Sequence, residues 1–256
     1  MILAAAAAGS PGAEAAGQRP DRFALALGGW DTERKSQVRY SSDLLGEGTL
    51  IDLEDDLGLD DSDTVFRLDS YFRLTRRQRL DFTFFDLSRD GSTVLEGDIQ
   101  FGDEVFTVGT LVDTEFDMVV YRLAYGFSFL RTDRTEIGAR VGVYGFEIDG
   151  VLDAPELSVR EAEDTFAPFP AFGLYGSTAF ARKWFIGAHA EYFTIDQSDV
   201  EGQLVEALVW VEFRTWGHVG FRFGYNLVDI DVEDKEGDDK GDLEIDGPVV
   251  YVTLRF

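Results

Sequence analysis

The segment Val120–Phe146, VYRLAYGFSFLRTDRTEIGARVGVYGF, alternates large apolar side chains with small or charged ones. Tyr121, Leu123, Tyr125, Phe127 and Phe129 share one parity, and the intervening positions are Arg, Ala, Gly and Ser. A period of two indicates a β-strand. The alternation resumes after the polar turn Arg131–Arg134, so the segment predicts a β-hairpin of two long strands.

The two faces of this hairpin do not suit a soluble sheet. One face is a continuous row of aromatic and aliphatic side chains. The opposite face, which should meet water, is dominated by glycine and alanine and carries Arg122, Glu136 and Arg140. This division raises the question of which solvent the aromatic face is built for.

The same alternation recurs along the chain and predicts ten strands. They span Phe23–Trp30, Thr64–Leu74, Arg79–Leu87, Phe116–Leu130, Thr135–Ile148, Pro168–Phe180, Lys183–Ile195, Gln203–Phe213, His218–Ile230 and Leu243–Phe256. Short connections (TRRQ, RTDR, ARK and RTWG) alternate with acidic ones that are mostly longer, such as Asp31–Asp63, Ser88–Glu115 and Asp149–Ala167. An even number of antiparallel strands with short turns at one end and longer loops at the other is typical of transmembrane β-barrels.

Composition excludes several classes of protein. The chain has 256 residues, no Cys, and 49 Asp+Glu against 23 Lys+Arg, which gives a net charge of −26. This charge argues against a nucleic-acid partner, because phosphate binding needs a basic face. No apolar run approaches the roughly 20 residues that a membrane helix needs. No motif predicts a cofactor or a metal site, although the acidic loops favour divalent cations as partners.

The C-terminal strand, VVYVTLRF, resembles the sorting signal of bacterial outer-membrane proteins. Val250, Val252, Leu254 and the terminal Phe256 share the predicted lipid-facing parity. The resemblance is to the class of small Gram-negative outer-membrane barrels, and it covers roughly residues 22–256. It implies a closed antiparallel barrel in the outer membrane, with short periplasmic turns, acidic extracellular loops, and the barrel-assembly machinery, lipid and lipopolysaccharide as partners.

The N-terminal residues 1–21 are predicted to lie outside the fold. They begin with an alanine-rich apolar run and contain Ala13-Glu14-Ala15, which suits signal-peptidase cleavage. A basic segment before the apolar run is missing, so a signal-peptide remnant and a disordered tail both remain open. Residues 22–256 then form a single barrel domain.

Strand parity also predicts which charged side chains enter the lumen. The predicted lumen charge network consists of Arg67, Asp69, Arg73, Asp81, Arg122, Glu136, Arg140, His189, Glu191, Glu206, Glu212 and Arg222, with Arg255 from the last strand. Interleaved Arg and carboxylate groups can satisfy one another in a narrow barrel. A salt-bridged, filled lumen is the leading interpretation, and a pore lining is the alternative.

Enzyme chemistry is the third reading. Ten strands also suit outer-membrane proteases that resemble omptins, which use acidic residues and a histidine at the outer rim. Acidic pairs occur here at Asp55-Asp56 and Asp60-Asp61, but His189 falls within a strand and His218 at the short-turn end. A carboxylate pair with no histidine beside it at the outer rim lacks the general base that hydrolysis needs. No G-x-S-x-G motif occurs either. The sequence therefore predicts no catalytic residue and no enzyme.

Three finer features concern the loops and strand ends. Gly48–Asp63 interleaves apolar and acidic residues, so it either packs across the barrel mouth or forms an exposed loop. Asp229–Asp246 lacks the residue order of an EF-hand and is interpreted as a solvated acidic hairpin. The segments 94–101 and 105–112 form an extra hairpin, which either extends two strands above the membrane or raises the count to twelve. Trp30, Trp184 and Tyr225 are expected in the interfacial belts.

Function follows less directly than fold from these patterns. The leading hypothesis is a non-enzymatic outer-membrane barrel with a filled or narrow lumen and a structural or interaction role. A passive channel for small solutes is the first alternative. A barrel-type lipid or peptide hydrolase is the second.

Overall fold

The computed structural model describes residues 21–42, 44–155, 159–196, 200–215, 217–234 and 238–256, and within them the chain is all-β. The predicted leader, apart from Asp21, lies outside the described residues. The strands are β1 (Phe23–Arg39), β2 (Ile51–Asp52), β3 (Ser62–Arg73), β4 (Gln78–Val94), β5 (Ile99–Phe101), β6 (Glu104–Phe106), β7 (Leu111–Arg131), β8 (Thr135–Ala154), β9 (Val159–Ala179), β10 (Trp184–Asp196), β11 (Val200–Arg214), β12 (Val219–Asp234) and β13 (Asp239–Arg255). No helix in this part of the chain is long and apolar enough to cross a bilayer.

Ten of these strands close into an antiparallel barrel. Each pairs with its neighbour in the order β13-β12-β11-β10-β9-β8-β7-β4-β3-β1, and β13 pairs with β1 to complete the ring. The closing register runs from Ala24 opposite Arg255 to Arg39 opposite Lys240. Closure matters because an open strand edge in hydrocarbon would leave backbone groups without hydrogen-bond partners. The predicted ten-stranded barrel is confirmed.

The twelve-strand alternative is wrong. β4 and β7 continue as a ladder as far as Val94 opposite Leu111, well beyond the predicted strand ends. The short strands β5 and β6 pair only with each other and form a separate two-stranded sheet. The extra hairpin therefore extends two barrel strands and adds none to the wall.

The connections have the predicted asymmetry. Residues 74–77, 132–134, 180–183 and 215–218 link strands at the end where β1 begins and β13 ends. The longer connections lie at the other end, where β1 and β3 are joined through residues 40–61. In barrels of this type the short turns are periplasmic. The start of β1 and the end of β13 therefore lie on the periplasmic side.

The outer surface of the barrel explains the aromatic face of the hairpin. Large apolar side chains point outward and stay exposed around the wall, including Phe82, Leu123, Phe172, Phe223 and Val252. A solvated surface would not expose so many large apolar groups together, because their hydration is unfavourable. Lipid is the solvent that this face fits.

The strands are longer than the sequence predicted. β1 has 17 residues and β7 has 21, whereas crossing a bilayer takes only about 9–11 residues of a tilted strand. In the extra length the outward positions turn acidic, as at Asp31 and Glu33 on β1 and Glu115 and Asp117 on β7. These extensions carry the barrel above the membrane on the extracellular side.

The upper lumen holds an apolar core. Trp30 is fully buried there and meets the Phe85 ring edge-on, with centroids 5.4 Å apart. Leu204, Ile245 and neighbouring side chains from around the wall complete this core. The interfacial position expected for Trp30 is therefore wrong, because an even-numbered residue of β1 points inward. Trp184 and Tyr225 do lie on the outer surface.

A second apolar cluster closes the extracellular mouth. Ile51, Leu53, Leu57 and Leu59 are buried against side chains of the extended strands and of the β5–β6 hairpin. Gly48–Asp63 is thus the ordered element across the mouth that one of the two sequence readings described. Asp55, Asp56, Asp60 and Asp61 are exposed while these leucines are buried, which explains why the sequence was compatible with both interpretations.

Glycines inside the barrel make room for large aromatic rings. A Cβ atom on Gly138 would collide with the ring of Tyr175, and one on Gly187 would collide with Trp210. Both aromatic residues lie on strands next to these glycines. The strand glycines therefore allow aromatic side chains to lie flat against the inner wall.

Candidate functional site

The middle of the lumen contains a buried ionic network centred on Glu206. Arg67 Nη2 donates to Glu206 Oε1 at 2.5 Å, and Arg122 Nη1 donates to Glu206 Oε2 at 3.2 Å. Tyr144 Oη donates to the same carboxylate. Arg67 also donates to Asp69 through Nε at 3.2 Å.

Glu191 is the second carboxylate of this central network. Arg122 Nη1 donates to Glu191 Oε1 at 3.0 Å. Tyr144 Oη also lies 2.6 Å from Glu191 Oε2, so its single hydrogen is shared between Glu191 and Glu206. Arg140 contacts Glu191 through Nε. Arg122 and Tyr144 therefore join the two carboxylates, Glu191 and Glu206, which come from neighbouring strands β10 and β11.

Nearer the periplasmic end, Glu212 is surrounded by arginines. Arg255 donates to it through Nε at 2.9 Å and through Nη2 at 2.6 Å. Arg222 Nη2 and Arg214 Nε donate to it at 3.1 and 3.0 Å. Two-point Arg–carboxylate contacts are among the stronger charge-assisted hydrogen bonds, so Glu212 ties together the last three strands of the barrel.

Two further ion pairs lie at the same end. Arg73 holds Glu136 in a two-point contact, with Nη1–Oε1 and Nη2–Oε2 distances of 2.9 and 2.5 Å. Arg79 Nε donates to Asp81 Oδ2 at 3.0 Å, and its guanidinium lies 3.7 Å from the centre of the Tyr175 ring. Because neither pair contacts the Glu212 cluster directly, the predicted network consists of separate groups.

The structure places every residue of the predicted lumen charge network on the inner face. Arg67, Asp69, Arg122, Arg140, Glu191 and Glu206 meet in the central network, while Arg222, Glu212 and Arg255 meet below it. His189 is also inside, with Nε2 3.7 Å from Glu206 Oε1. Arg73 with Glu136, and Asp81 with Arg79, form the separate pairs.

Burial gives these contacts their energetic weight. Arg67, Glu206 and Glu212 have no more than 1% of their surface exposed. Taking such charges out of water costs several kcal/mol per ion, which well-formed pairing can offset. Breaking one pair leaves its partner buried and uncompensated, so loss of either partner is expected to destabilise the barrel.

A cavity and an apolar core lie on opposite sides of the central network. A cavity of about 450 Å³ runs from the short turns at Arg76, Arg77 and Arg134 inward to Arg140 and His189. Above the central network lies the apolar core around Trp30 and Phe85. The assignment of lumen residues from strand parity considered charged residues and did not predict this core. The inward parity of Trp30 in β1 was the sequence signal that could have indicated it.

Above the membrane, polar contacts fix the loop to the strands. Glu54 accepts hydrogen bonds from Ser36 N at 2.9 Å and from Ser36 Oγ at 2.6 Å. Arg89, on β4, contacts the same carboxylate. Burial lowers the pKa of Arg89, and the contact with Glu54 opposes this effect. Glu54 thus anchors Gly48–Asp63 to two strands of the barrel rim.

The features considered for catalysis or metal binding lie far apart along the barrel. The Asp55-Asp56 and Asp60-Asp61 pairs belong to the extracellular segment over the mouth, whereas His189 is in the lumen. His218 is at the periplasmic end, with Nδ1 2.5 Å from the Arg255 carbonyl oxygen. Among the described residues, no three or more carboxylate or histidine side chains converge as a metal site would require.

Comparison with known proteins bears on the fold only. No family model matches the sequence, and no curated protein matches it. Among solved structures, the outer membrane protease OmpT from Escherichia coli is similar, with a TM-score of 0.55 and 10% identity over 93% of this chain and 97% of that one. Ail of Yersinia pestis, in complex with sucrose octasulfate, gives a TM-score of 0.38, 12% identity, and coverage of 91% and 97%. The toluene transporter TodX of Pseudomonas putida gives a TM-score of 0.36 and 11% identity, over 93% of this chain and 90% of that one.

Three features define the class of fold: the closed wall, the apolar outer surface, and the short connections at one end with longer ones at the other. The chain is a ten-stranded antiparallel barrel with the fold of Gram-negative outer-membrane proteins. This fold and its lipid-facing band place it in the outer membrane. At 10% identity, the similarity to OmpT carries no information about the activity of this chain.

Proposed function

We propose that this protein is a non-enzymatic outer-membrane barrel with a closed lumen, which has a structural or interaction role in the envelope. The observation that carries the proposal is the apolar core in the upper lumen. Side chains from strands around the whole wall meet in it, including Trp30, Phe85, Leu204 and Val249. None of these four has more than 1% of its surface exposed.

An apolar layer is an effective barrier to ions. Water leaves a narrow hydrophobic constriction, and an ion that entered it would lose its hydration without finding polar groups. Below this layer, the carboxylates and guanidiniums of the central network bond to one another and do not line a continuous aqueous path. A solute entering from the periplasm would therefore stop at the network.

The cap over the mouth supports the same function. Leu53, Leu57 and Leu59 pack into the second apolar cluster, and Glu54 anchors the segment to the strand ends. A channel would need this segment to move, which would expose apolar surface and break the Glu54 contacts. The cap instead presents an ordered acidic surface outside the cell.

The outer wall indicates the partners we propose for that surface. Above the apolar band, Asp31, Asp86, Asp117, Asp149 and Asp246 face outward on five strands. This height adjoins the headgroups of the outer leaflet, so the acidic belt attracts divalent cations diffusely next to lipopolysaccharide. The outward-facing Val252 and Leu254 of β13, with Phe256 directly after the strand, are the proposed signal for the barrel-assembly machinery.

The positions of the two histidines do not favour the hydrolase alternative. His189 lies beside Glu206 in the lumen, below the apolar core, and His218 lies at the periplasmic end. A rim hydrolase would need a base beside the acidic pairs of the loop. The channel alternative has only the periplasmic cavity in its favour, and that cavity ends at the central network.

Conductance tests the proposal. Purified protein in planar bilayers should give no steady current steps, because the apolar core blocks the lumen. Reproducible single-channel steps, with an ion preference altered by Glu206→Gln and Glu212→Gln, would establish a channel instead, since charged rings set selectivity. Lipid or peptide hydrolysis that His189→Ala abolishes would reject both readings.

A further inference from the structure

The cavity at the periplasmic end is strongly cationic, although the protein as a whole is strongly acidic. Eleven arginines line it, against five carboxylates. Three more carboxylates, Glu191, Glu206 and Glu212, bond to those arginines from behind the surface. Counting all of them still leaves a surplus of three positive charges, so the ion pairs described above do not neutralise this cavity.

One deep arginine has hydrogen-bonding capacity to spare. Arg140 lines the inner part of the cavity and is only 5% exposed. Its Nε contacts Glu191, but its Nη2 is buried without a hydrogen-bond partner among the described residues. A buried guanidinium donor left unpaired costs free energy, and an acceptor that the side chain turned to meet in the cavity would recover it.

The entrance repeats this pattern with exposed arginines. Arg76 and Arg77 on one turn, and Arg134 on the next, line the mouth of the cavity. Within the part of the chain that the structure describes, no carboxylate lies within salt-bridge distance of these three side chains. Arg140 lies five residues into β8 from Thr135, roughly 16 Å along the strand. The arginines therefore form a path from the mouth to a deep site.

From this arrangement we propose that the periplasmic cavity binds a small multivalent oxyanion of the phosphate class, with Arg140 at its inner end and Arg76 and Arg77 at its entrance. Guanidinium forks fit phosphate oxygens in two-point geometry, and a local surplus of positive charge favours a ligand with several negative charges. A volume of about 450 Å³ accommodates a pyrophosphate or a phosphorylated small molecule.

The same chemistry could come from a free phosphate compound or from the headgroup of a phospholipid in the inner leaflet. The arginines concerned face the lumen, which favours the soluble ligand. Two probes separate these sources: inorganic pyrophosphate, and phosphatidylglycerol supplied in nanodiscs that hold the barrel.

The test is calorimetric titration of pyrophosphate into the full barrel in neutral detergent at low salt. Binding is expected, and raising NaCl should weaken it because added salt screens the charges. Arg140→Gln should weaken it roughly tenfold or more, since it removes a charge-assisted contact. The double variant Arg76→Gln with Arg77→Gln should weaken it severalfold. Arg182→Gln is the matched control, because Arg182 is exposed on a short turn at the same end and does not line the cavity.

Folding of each variant is checked by heat-modifiable gel migration, and the rim double variant covers the case in which Arg140→Gln fails to fold. No heat of binding up to millimolar pyrophosphate, or equal weakening by Arg182→Gln, would overturn the proposal. If citrate bound as tightly as pyrophosphate, the proposed preference for ligands of the phosphate class would be rejected. Loss of pyrophosphate binding in phosphatidylglycerol nanodiscs, but not in phosphatidylcholine ones, would assign the site to the lipid headgroup.

Discussion

Replacing Glu206 by glutamine removes one buried negative charge from the centre of the barrel with almost no change of shape. The carboxylate accepts from Arg67 at 2.5 Å and from Arg122 at 3.2 Å, and it also binds Tyr144. The amide of glutamine can accept one of these bonds, but it leaves two buried guanidiniums with a single countercharge each. Asp69 remains for Arg67, at 3.2 Å, and Glu191 remains for Arg122, at 3.0 Å.

The expected loss of stability follows from these contacts. Removing one partner of a buried ion pair costs about 3–5 kcal/mol. Because both arginines keep a second carboxylate, we expect Glu206→Gln to fall at the lower end, at about 3 kcal/mol. The matched change is Glu47→Gln, in which the partner Arg39 lies 2.5 Å away but the two side chains are 60% and 25% exposed. A surface pair of this kind contributes less than about 1 kcal/mol.

The assay is urea unfolding of both variants in lipid vesicles, followed by tryptophan fluorescence and checked for reversibility. The difference between the two variants carries the argument, because both exchange a carboxylate for an amide. A loss below about 1 kcal/mol for Glu206→Gln, equal to that of Glu47→Gln, would mean that water already hydrates the central network. That result would refute the filled lumen and favour the pore.

Two further predictions concern other layers of the barrel. Phe85→Ala should destabilise the barrel by about 3–5 kcal/mol, because Phe85 is 1% exposed in the apolar core. Phe82→Ala, on the lipid face of the same strand, should destabilise it clearly less. Equal losses in the same urea assay would argue against a packed core. At the extracellular end, burial and the facing Asp242 raise the pKa of Asp231. A raised folded-state pKa means that the folded state gains stability as pH falls through it and loses that gain at higher pH. Asp231→Asn should therefore raise the melting temperature at pH 7 but not at pH 3, and an equal shift at both would contradict the assignment.

The fold could be predicted from the sequence because lipid makes one face of each strand apolar. In β7, Tyr121 to Phe129 keep this alternation without interruption, so strand type and facing follow together. The extracellular half of each strand lacks this signal. In β1, Thr32, Arg34 and Ser36 point inward while Asp31, Glu33 and Lys35 point outward, so both faces are polar and hydrophobic periodicity ends at Trp30.

The candidate site was only half predictable for a related reason. Parity assigns Arg67 and Glu206 to the lumen, but they are 139 residues apart, and their contact depends on the stagger of strands around the closed wall. Likewise, Trp30 has inward parity, but only barrel closure shows that it meets Phe85. The periplasmic cavity depends on how far long side chains reach, which strand patterns do not encode.

Net charge misleads about this molecule because its charges are sorted by layer. The total of −26 describes the extracellular extensions, where outward positions such as Asp31 and Asp117 are acidic. Eleven of the 23 lysines and arginines line one cavity at the opposite end. Surface charges separated by more than about 10 Å are largely screened at 0.1 M salt, so the distant carboxylates do little to reduce the local potential there. The composition therefore argues against anionic partners on the outer surface, while the periplasmic cavity remains suited to an anion.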